Sequence, residues 1–327
     1  MMTEKMVRMN SIKEIAKVIK QAKSIAIFTH ISPDFDAFGS AYSLYYSLKD
    51  KGKKVEIFTK EKLNSHQKLL FEDVTNSCAC KENEFDLFIC VDVSSLKRLG
   101  DYSCVFENQN NHTMIIDHHI TSENFSEYSY INHNRSSCCE IVLEVLTAIK
   151  CKIDSKVASY LYAGLSSDTS SFQNSSTKIN CHIAATKLME LGADIHKVNQ
   201  VLYETRTFKE IAFKKYLWNN YKTYKDCAYC LVDYKSLTEL KGKKSDCDSF
   251  SRSLVSIEGI NYSFSLIEEK EGMFNLSMRS KTGYDVRIIA EKVSGGGHIC
   301  AAGAKFEAKN IQTAKKKILE IMFEGEK

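Results

Sequence analysis

The sequence predicts an α/β protein: a Rossmann-like, doubly wound parallel sheet followed by a smaller α+β domain. Three observations carry this. The 327 residues exceed one average domain. Through the first half, apolar β-branched runs alternate with segments of helical spacing, the strand, helix, strand order of a parallel sheet with right-handed crossovers. Beyond about residue 225 the texture changes to closely spaced strand-like runs. The expected boundaries are 1–195 for the first domain, 196–225 for a helical linker and 226–327 for the second domain.

The elements follow in order. Asn10 to Lys23 reads as a helix capped by Asn10 or Ser11, with Ile12, Ile15, Ala16 and Ile19 on one face. Residues 24–29 form a strand, 38–50 a helix, 51–53 a Lys-Gly turn and 54–59 a second strand. Residues 60–85 read as a short helix and loop. Asp86 to Val93 and His112 to His119 are apolar runs ending in acids or histidines. Residues 136–150 make an apolar helix capped by Ser136 or Ser137, and Thr177 to Leu191 another. Asp194 to Tyr224 has the spacing of connecting helices. Strands are expected at 229–234, 261–268 and 273–280, then a helix at 285–293.

Charge narrows the partners. Lys and Arg number 45 against 41 Asp and Glu, a formal net charge of +4. That is too little to grip long nucleic acid through many phosphates, so any nucleic-acid partner is expected to be short. The hydrophobic fraction of 43% supports sizeable cores, yet no apolar run reaches a membrane span. The N-terminal MMTEKMVRMN leads into an amphipathic helix and not a signal sequence, so a cytoplasmic protein is expected. The twelve cysteines are scattered. Cys78-Ala-Cys80 and Cys227-Ala-Tyr-Cys230 are the best metal candidates, but neither has a second pair at zinc-ribbon distance, and reduced thiols are expected.

The chemistry centres on Thr29 to Ser40, THISPDFDAFGS. A strand, a polar turn and a helix place His30, Asp34 and Asp36 at a strand's carboxyl end, where open α/β sheets bind ligands. One imidazole and two carboxylates so close together form a mixed N/O set suited to Mg²⁺ or Mn²⁺. Pro33, the sole proline, fixes the backbone between them. Asp92 ends an apolar run, where a carboxylate is costly unless paired or metal-bound. HTMIIDHH delivers Asp117, His118 and His119 at another strand end, and GLSSDTSSF puts Asp168 in a turn of small residues. Alone, each acid is more often a cap or turn former; together, and in this order, they point to one centre. Imidazoles beside carboxylates shift the preference towards Mn²⁺, with Mg²⁺ or Co²⁺ also accommodated. Two divalent cations in such a centre would serve the hydrolysis of a phosphoester.

The spacing His-x-x-x-Asp-x-Asp, the strand-end Asp, Asp-His-His and the later Asp-Thr resemble the DHH phosphoesterase superfamily. Ser294 to Ala304, SGGGHICAAGA, is similar to the glycine-rich signature of the DHH-associated second domain. Length and layout look nearest to the NrnA-type nanoRNase/pAp phosphatases, with cyclic-dinucleotide and pApA phosphodiesterases close by. The resemblance implies one ion on His30, Asp34 and Asp92 and a second on Asp36, Asp92, His118 and Asp168, Asp92 bridging. It places His119 beside the scissile phosphate; Asp117 either orients a histidine, the favoured reading, or binds metal itself. In the second domain it implies a phosphate grip from Arg279, Gly295, Gly296, Gly297 and His298. Arg98, just past Asp92, is a weaker substrate-binding candidate. Metals on one domain and grip on the other imply a cleft narrow enough to select short molecules, and a homodimer is implied by the family alone. Where relatives often read Asp-Thr-Gly, this chain has Asp168-Thr169-Ser170, which leaves the ligand intact and alters only the turn after it.

The implied activity is Mn²⁺-dependent cleavage of very short RNA or DNA to mononucleotides, with 3′-phosphatase activity on pAp. Alternatives of other kinds are hydrolysis of cyclic di-AMP or pApA, and non-catalytic nucleotide binding.

Overall fold

Alternation of buried strand and amphipathic helix builds the first of two units in this computed structural model, which describes residues 9–76, 84–174 and 176–323. The chain divides between Thr205 and Arg206. The first unit contains strands β1 (Ser24–Phe28), β2 (Lys54–Phe58), β3 (Thr75–Asn76), β4 (Leu87–Val91), β5 (Thr113–Asp117) and β6 (Tyr128–Ile131). Its α-helices are α1 (Ile12–Gln21), α2 (Phe35–Asp50), α3 (Ser103–Glu107), α4 (Cys138–Ile149), α5 (Ser155–Asp168), α6 (Ile179–Glu190) and α7 (Ile195–Asn199).

All neighbouring strands are parallel, in the order β3-β2-β1-β4-β5-β6. This is the doubly wound order whose direction reverses between β1 and β4, and ligands bind outside the carboxyl ends at that reversal. Both faces are covered. Ile25, Ile27, Ile57, Ile89, Met114 and Ile116 pack with residues of α1, α2, α4 and α5. Their neighbours in sequence, Ala26, Phe28, Phe58, Phe88, Cys90 and Ile115, point the other way, towards Leu99, Tyr102 and Phe106. That two-sided burial is why the strands read as continuous apolar runs and not as alternating ones. Phe28 stacks on Phe58 with centroids 5.3 Å apart, and removing a ring so buried costs about 3–5 kcal/mol.

The second unit contains α8 (Phe208–Asn220), β7 (Lys222–Tyr224), β8 (Cys227–Val232), α9 (Tyr234–Glu239), α10 (Lys244–Val255), β9 (Tyr262–Lys270), β10 (Met273–Ser280), α11 (Arg287–Glu291), β11 (Gly296–His298), β12 (Ala301–Glu307) and α12 (Ile311–Met322). Its mixed sheet runs β11-β12-β10-β9-β8-β7, with only β8 and β9 parallel. One face packs on α8 and α10 through Phe213, Leu217, Cys247, Phe250 and Leu254. The other packs on α11 and α12 through Phe264, Phe274, Ile289 and Ile318.

Several local expectations need correcting. Helix α2 begins at Phe35, not residue 38, because Asp34 accepts from the backbone N–H groups of Asp36 and Ala37 and caps the first turn. Asp168 lies at the end of α5 and not in a turn: Val157, Leu161 and Leu165 recur every four residues along one buried helical face. Strands β6 and β11 escape the pattern, being short, and β11 holds two glycines among its three residues. Cys227 and Cys230 are buried in β8, while Cys78 and Cys80 lie outside the described residues. Among the described residues no helix is long and apolar enough to cross a membrane.

Candidate active site

Every ligand candidate of the first unit lies at the carboxyl edge of its sheet. His30 follows β1, Asp92 follows β4, and Asp117, His118 and His119 end and follow β5; Asp34 and Asp36 come from the start of α2, Asp168 from the end of α5. Three groups result, each with its ligand atoms within 4.8 Å of one another: His30, Asp34 and Asp92; Asp36, His118 and Asp168; and Asp92, His118 and His119. Asp92 stands between the two histidines, with Oδ2 3.6 Å from His30 Nε2 and Oδ1 3.5 Å from His118 Nε2. Its backbone takes φ 59°, the left-handed region an aspartate tolerates at some cost, and such strain gathers at functional sites. The amide of Asp92 is held by Ile116 O at 3.0 Å.

The surroundings orient each ligand. His30 Nδ1 lies 2.7 Å from Ile31 O and 2.8 Å from Arg98 Nη2. The carbonyl can only accept and the guanidinium can only donate, so Nδ1 satisfies one of them at a time; in the tautomer with the proton on Nδ1, which serves the carbonyl, the Nε2 lone pair is left for a cation. Asp36 receives Cys138 N–H on Oδ2 at 2.7 Å and Cys139 N–H on Oδ1 at 2.9 Å. It therefore sits on the amino terminus of α4, whose dipole favours its charge, and its Oδ2 lies 3.8 Å from His118 Nε2. Pro33 O accepts from the buried Gln67 side chain at 2.8 Å.

His119 is built differently. Its Nδ1 lies 2.9 Å from Asp117 Oδ1 and its backbone N–H 3.3 Å from Oδ2, while Ser122 Oγ donates to the same carboxylate. Asp117 is wholly buried, whereas the His119 side chain is 43% exposed. The geometry is that of a carboxylate orienting an imidazole through its Nδ1.

Electrostatics show that the first-unit residues fit divalent ions. Burial pushes Asp36 well above the usual carboxylate range, with the charges of Asp92 and Asp168 adding to it. Burial also raises Asp168. For Asp92 burial acts the same way, but His118 and His30 outweigh it and hold the group well below that range. Burial lowers His118, yet Asp168 and Asp92 push it up to about 12. Carboxylates this close hold protons unless a cation replaces them. Asp92 Oδ1 and His118 Nε2 are buried without a hydrogen-bond partner, and buried atoms of this kind are rarely left so unless they face an ion or a ligand.

In the second unit, pairing sets Arg279 opposite Ala301 and Ala301 opposite His298, so the arginine and the histidine share one face of the sheet. That face is the one α10 covers over β9 and β10, where Ser263 and Ser265 bond to Ser251 and Cys247 carbonyls. Arg279 Nη1 donates to Met278 O at 2.8 Å, and Nε is buried without a partner. Of the three glycines, Gly297 is forced: its φ is 144°, and a Cβ would stand 2.6 Å from Ala302 Cα. Gly295 packs equally tightly on Ala304, whereas Gly296 faces open space.

Sequence reasoning passed over Gln67, Ser122 and the amides of Cys138 and Cys139. Only Ser137, which caps α4 by accepting from Glu140 N, signalled the helix start that carries those amides.

A doubly wound sheet carrying a histidine and aspartate cluster at its reversal point, joined to a mixed α+β unit, defines a hydrolase acting on phosphoester bonds. The chain belongs to the DHH family: residues 24–165 match the DHH family N-terminal domain and residues 231–324 the DHHA1 domain. It is 30% identical over 321 residues to the bifunctional oligoribonuclease and PAP phosphatase NrnA of Mycoplasma genitalium, covering 95% of this chain and 96% of that protein. It is 25% identical to the cyclic-di-AMP phosphodiesterase GdpP of Geobacillus thermodenitrificans over 340 residues, 96% of this chain but 50% of that one. The crystal structure of an exopolyphosphatase-related protein from Bacteroides fragilis superposes with a TM-score of 0.85 at 25% identity, covering 96% of this chain and 95% of the other.

Proposed function

We propose that the protein is a Mn²⁺-dependent phosphodiesterase that cuts very short oligonucleotides to mononucleotides and removes the 3′-phosphate of pAp. The observation that carries this is Asp92, set between His30 on its Oδ2 side and His118 on its Oδ1 side, with Oδ1 buried and without a hydrogen-bond partner. The near-full-length likeness to an oligoribonuclease and pAp phosphatase supports the substrate class.

His30, Asp34 and Asp92 would hold one ion and Asp36, Asp92, His118 and Asp168 the other; the mixed imidazole and carboxylate set suits Mn²⁺. Such a pair supplies an activated water and charge neutralisation at phosphorus. His119, held through Nδ1 by Asp117, delivers a proton from Nε2 to the leaving oxygen. Burial lowers this imidazole, but Asp117 raises it overall, which favours its proton-carrying form. Arg279 and His298 hold a substrate phosphate, Gly296 presents open backbone to it, and Arg98 lies beside His30 as a further contact. A small net charge of +4 fits short substrates.

The test is hydrolysis with Mn²⁺ of a 5′-labelled RNA length series, with pAp and cyclic di-AMP alongside, for wild type, Asp92→Ala and His298→Ala. Rapid cleavage of the shortest RNAs and pAp, lost in both variants, is the expected result. Turnover of cyclic di-AMP alone would favour the second reading, a signalling-nucleotide phosphodiesterase, to which the likeness to GdpP points. Absence of hydrolysis of any substrate would leave a nucleotide-binding protein.

A further inference from the structure

The two carboxylates that face His118 Nε2, Asp36 and Asp168, are tied together behind the cluster. Asp168 Oδ2 approaches that nitrogen to 3.2 Å from the end of α5, and Asp36 comes from the start of α2. The last carbonyls of a helix find no partner within it. The main-chain carbonyl of Asp168 is taken by the side chain of Asn174, whose Nδ2 donates to it at 2.6 Å. Asn174 Oδ1 accepts in turn from Ser176 N at 3.1 Å and from Ser176 Oγ at 2.5 Å. The Ser176 carbonyl accepts from Ser136 Oγ at 2.7 Å, and the Ser136 N–H donates to Glu140 Oε2 at 3.0 Å. Immediately beyond, the amides of Cys138 and Cys139 hold Asp36.

Burial and charge make this row stiff. Ser136 and Glu140 are 1% and 3% exposed, so water does not compete for their bonds. A buried carboxylate is costly unless paired, and Arg135 supplies the charge, with Nε 3.4 Å from Glu140 Oε1 and Nη2 2.6 Å from Glu144 Oε1. The row thus begins on the backbone of one ligand and ends at the helix start that clamps the other. Metal ligands must be held within about 0.5 Å of their working geometry, and partners behind a ligand set its affinity for the ion.

We propose that Asn174, Ser176, Ser136 and Glu140 are positioning residues that act as one unit, fixing the spacing of Asp36 and Asp168 and so the hold of the Asp36, His118 and Asp168 group on a divalent ion. The inference rests on the metal-dependent reading of the site, and its test reads the metal without substrate. Mn²⁺ is titrated calorimetrically into metal-free, full-length wild type, Asn174→Ala, Ser136→Ala and the double variant, with Asp168→Asn marking the binding step that belongs to this group. Each single variant is expected to weaken that step by about tenfold or more, as loss of a partner behind a ligand does, and the other step by less than about twofold. Both substitutions open the same row, so the double variant should be little weaker than the worse single one. Effects that multiply in the double variant would overturn the unit, as would equal weakening of both steps. So would unchanged affinity in Asn174→Ala, whose half-buried loop position leaves the core intact. A wild type with no second binding step would overturn the proposal together with the metal pair. Dinucleotide hydrolysis, measured in parallel, tests the activity by itself: the expected metal pattern with no turnover would keep the positioning residues and discard the reaction.

Discussion

Gly164 on α5 lies directly against Asp36 on α2: a Cβ at 164 would stand 2.7 Å from Asp36 Oδ1 and 2.9 Å from its Cα, with the Cys139 sulfur closer still. Glycine inside a helix sacrifices roughly 0.5–1 kcal/mol relative to alanine, and here overpacking would cost about 1–3 kcal/mol, so the clash wins. Gly164→Ala is expected to lower stability by about 1–2 kcal/mol in urea unfolding. It should lower Mn²⁺-dependent activity by more than that loss explains, because Asp36 must move. A variant as active as wild type would show that Asp36 is not needed where it stands.

Asp92→Asn removes a charge and little else, since asparagine also tolerates the left-handed backbone found at this position, φ 59°. Activity should fall about a thousandfold or more if the carboxylate serves both ions. The metal-free variant should melt below metal-free wild type near neutral pH, because His118 and His30 hold the Asp92 carboxylate in its charged form and lose that partner, which outweighs the repulsion relieved on Asp36 and Asp34. Calorimetry for metal stoichiometry and a melting curve check the two halves.

Ser170, Ser171 and Phe172 take φ of 50°, 59° and 64° in succession, a left-handed turn directly after Asp168 and Thr169. It is held by Ser171 N on Ser166 O at 2.8 Å and Phe172 N on Thr169 Oγ1 at 3.1 Å. A left-handed residue other than glycine costs roughly 1–2 kcal/mol. Ser170→Gly should therefore stabilise by about 0.5–1 kcal/mol after its greater unfolded-state entropy is counted. The check is a higher urea midpoint with an unchanged m-value.

Stripping the metal should make stability depend on pH. The folded pKa of Asp36 stands well above the unfolded value of 3.8, through burial and the neighbouring Asp92 and Asp168 charges. A group raised in this way contributes its stability fully below the unfolded pKa and loses it as pH rises through the folded one. With EDTA, Tm should drop by several degrees from pH 5 to pH 8; with Mn²⁺ the drop should shrink or vanish as cations replace protons. Parallel, flat Tm profiles would refute the charge-balance account.

The sheet was legible because its central strands β1, β4 and β5 are apolar almost throughout and end on, or run straight into, a polar residue. Asp92 after Val91 and Asp117 after Ile116 are costly where they stand, and that cost is written in residue type. The devices that aim them are not. Asp36 is fixed by the amides of Cys138 and Cys139, and a backbone N–H has no letter of its own. Ser122, which secures Asp117, is a loop serine like any other. Asp168 reads as a turn residue because serines surround it, although the leucine spacing before it already describes a helix.

The ligands enter the cluster from residues as far apart as His30 and Asp168, on loops, helix ends and strand ends that meet only once β1 lies between β2 and β4. Long-range parallel pairing of this kind forms slowly, after large loops have closed. No ion can find its full set of donors on a half-formed chain. Divalent cations held by these residues would thus act as a latch set late: they would leave the climb to the transition state largely untouched and lengthen the lifetime of the finished domain.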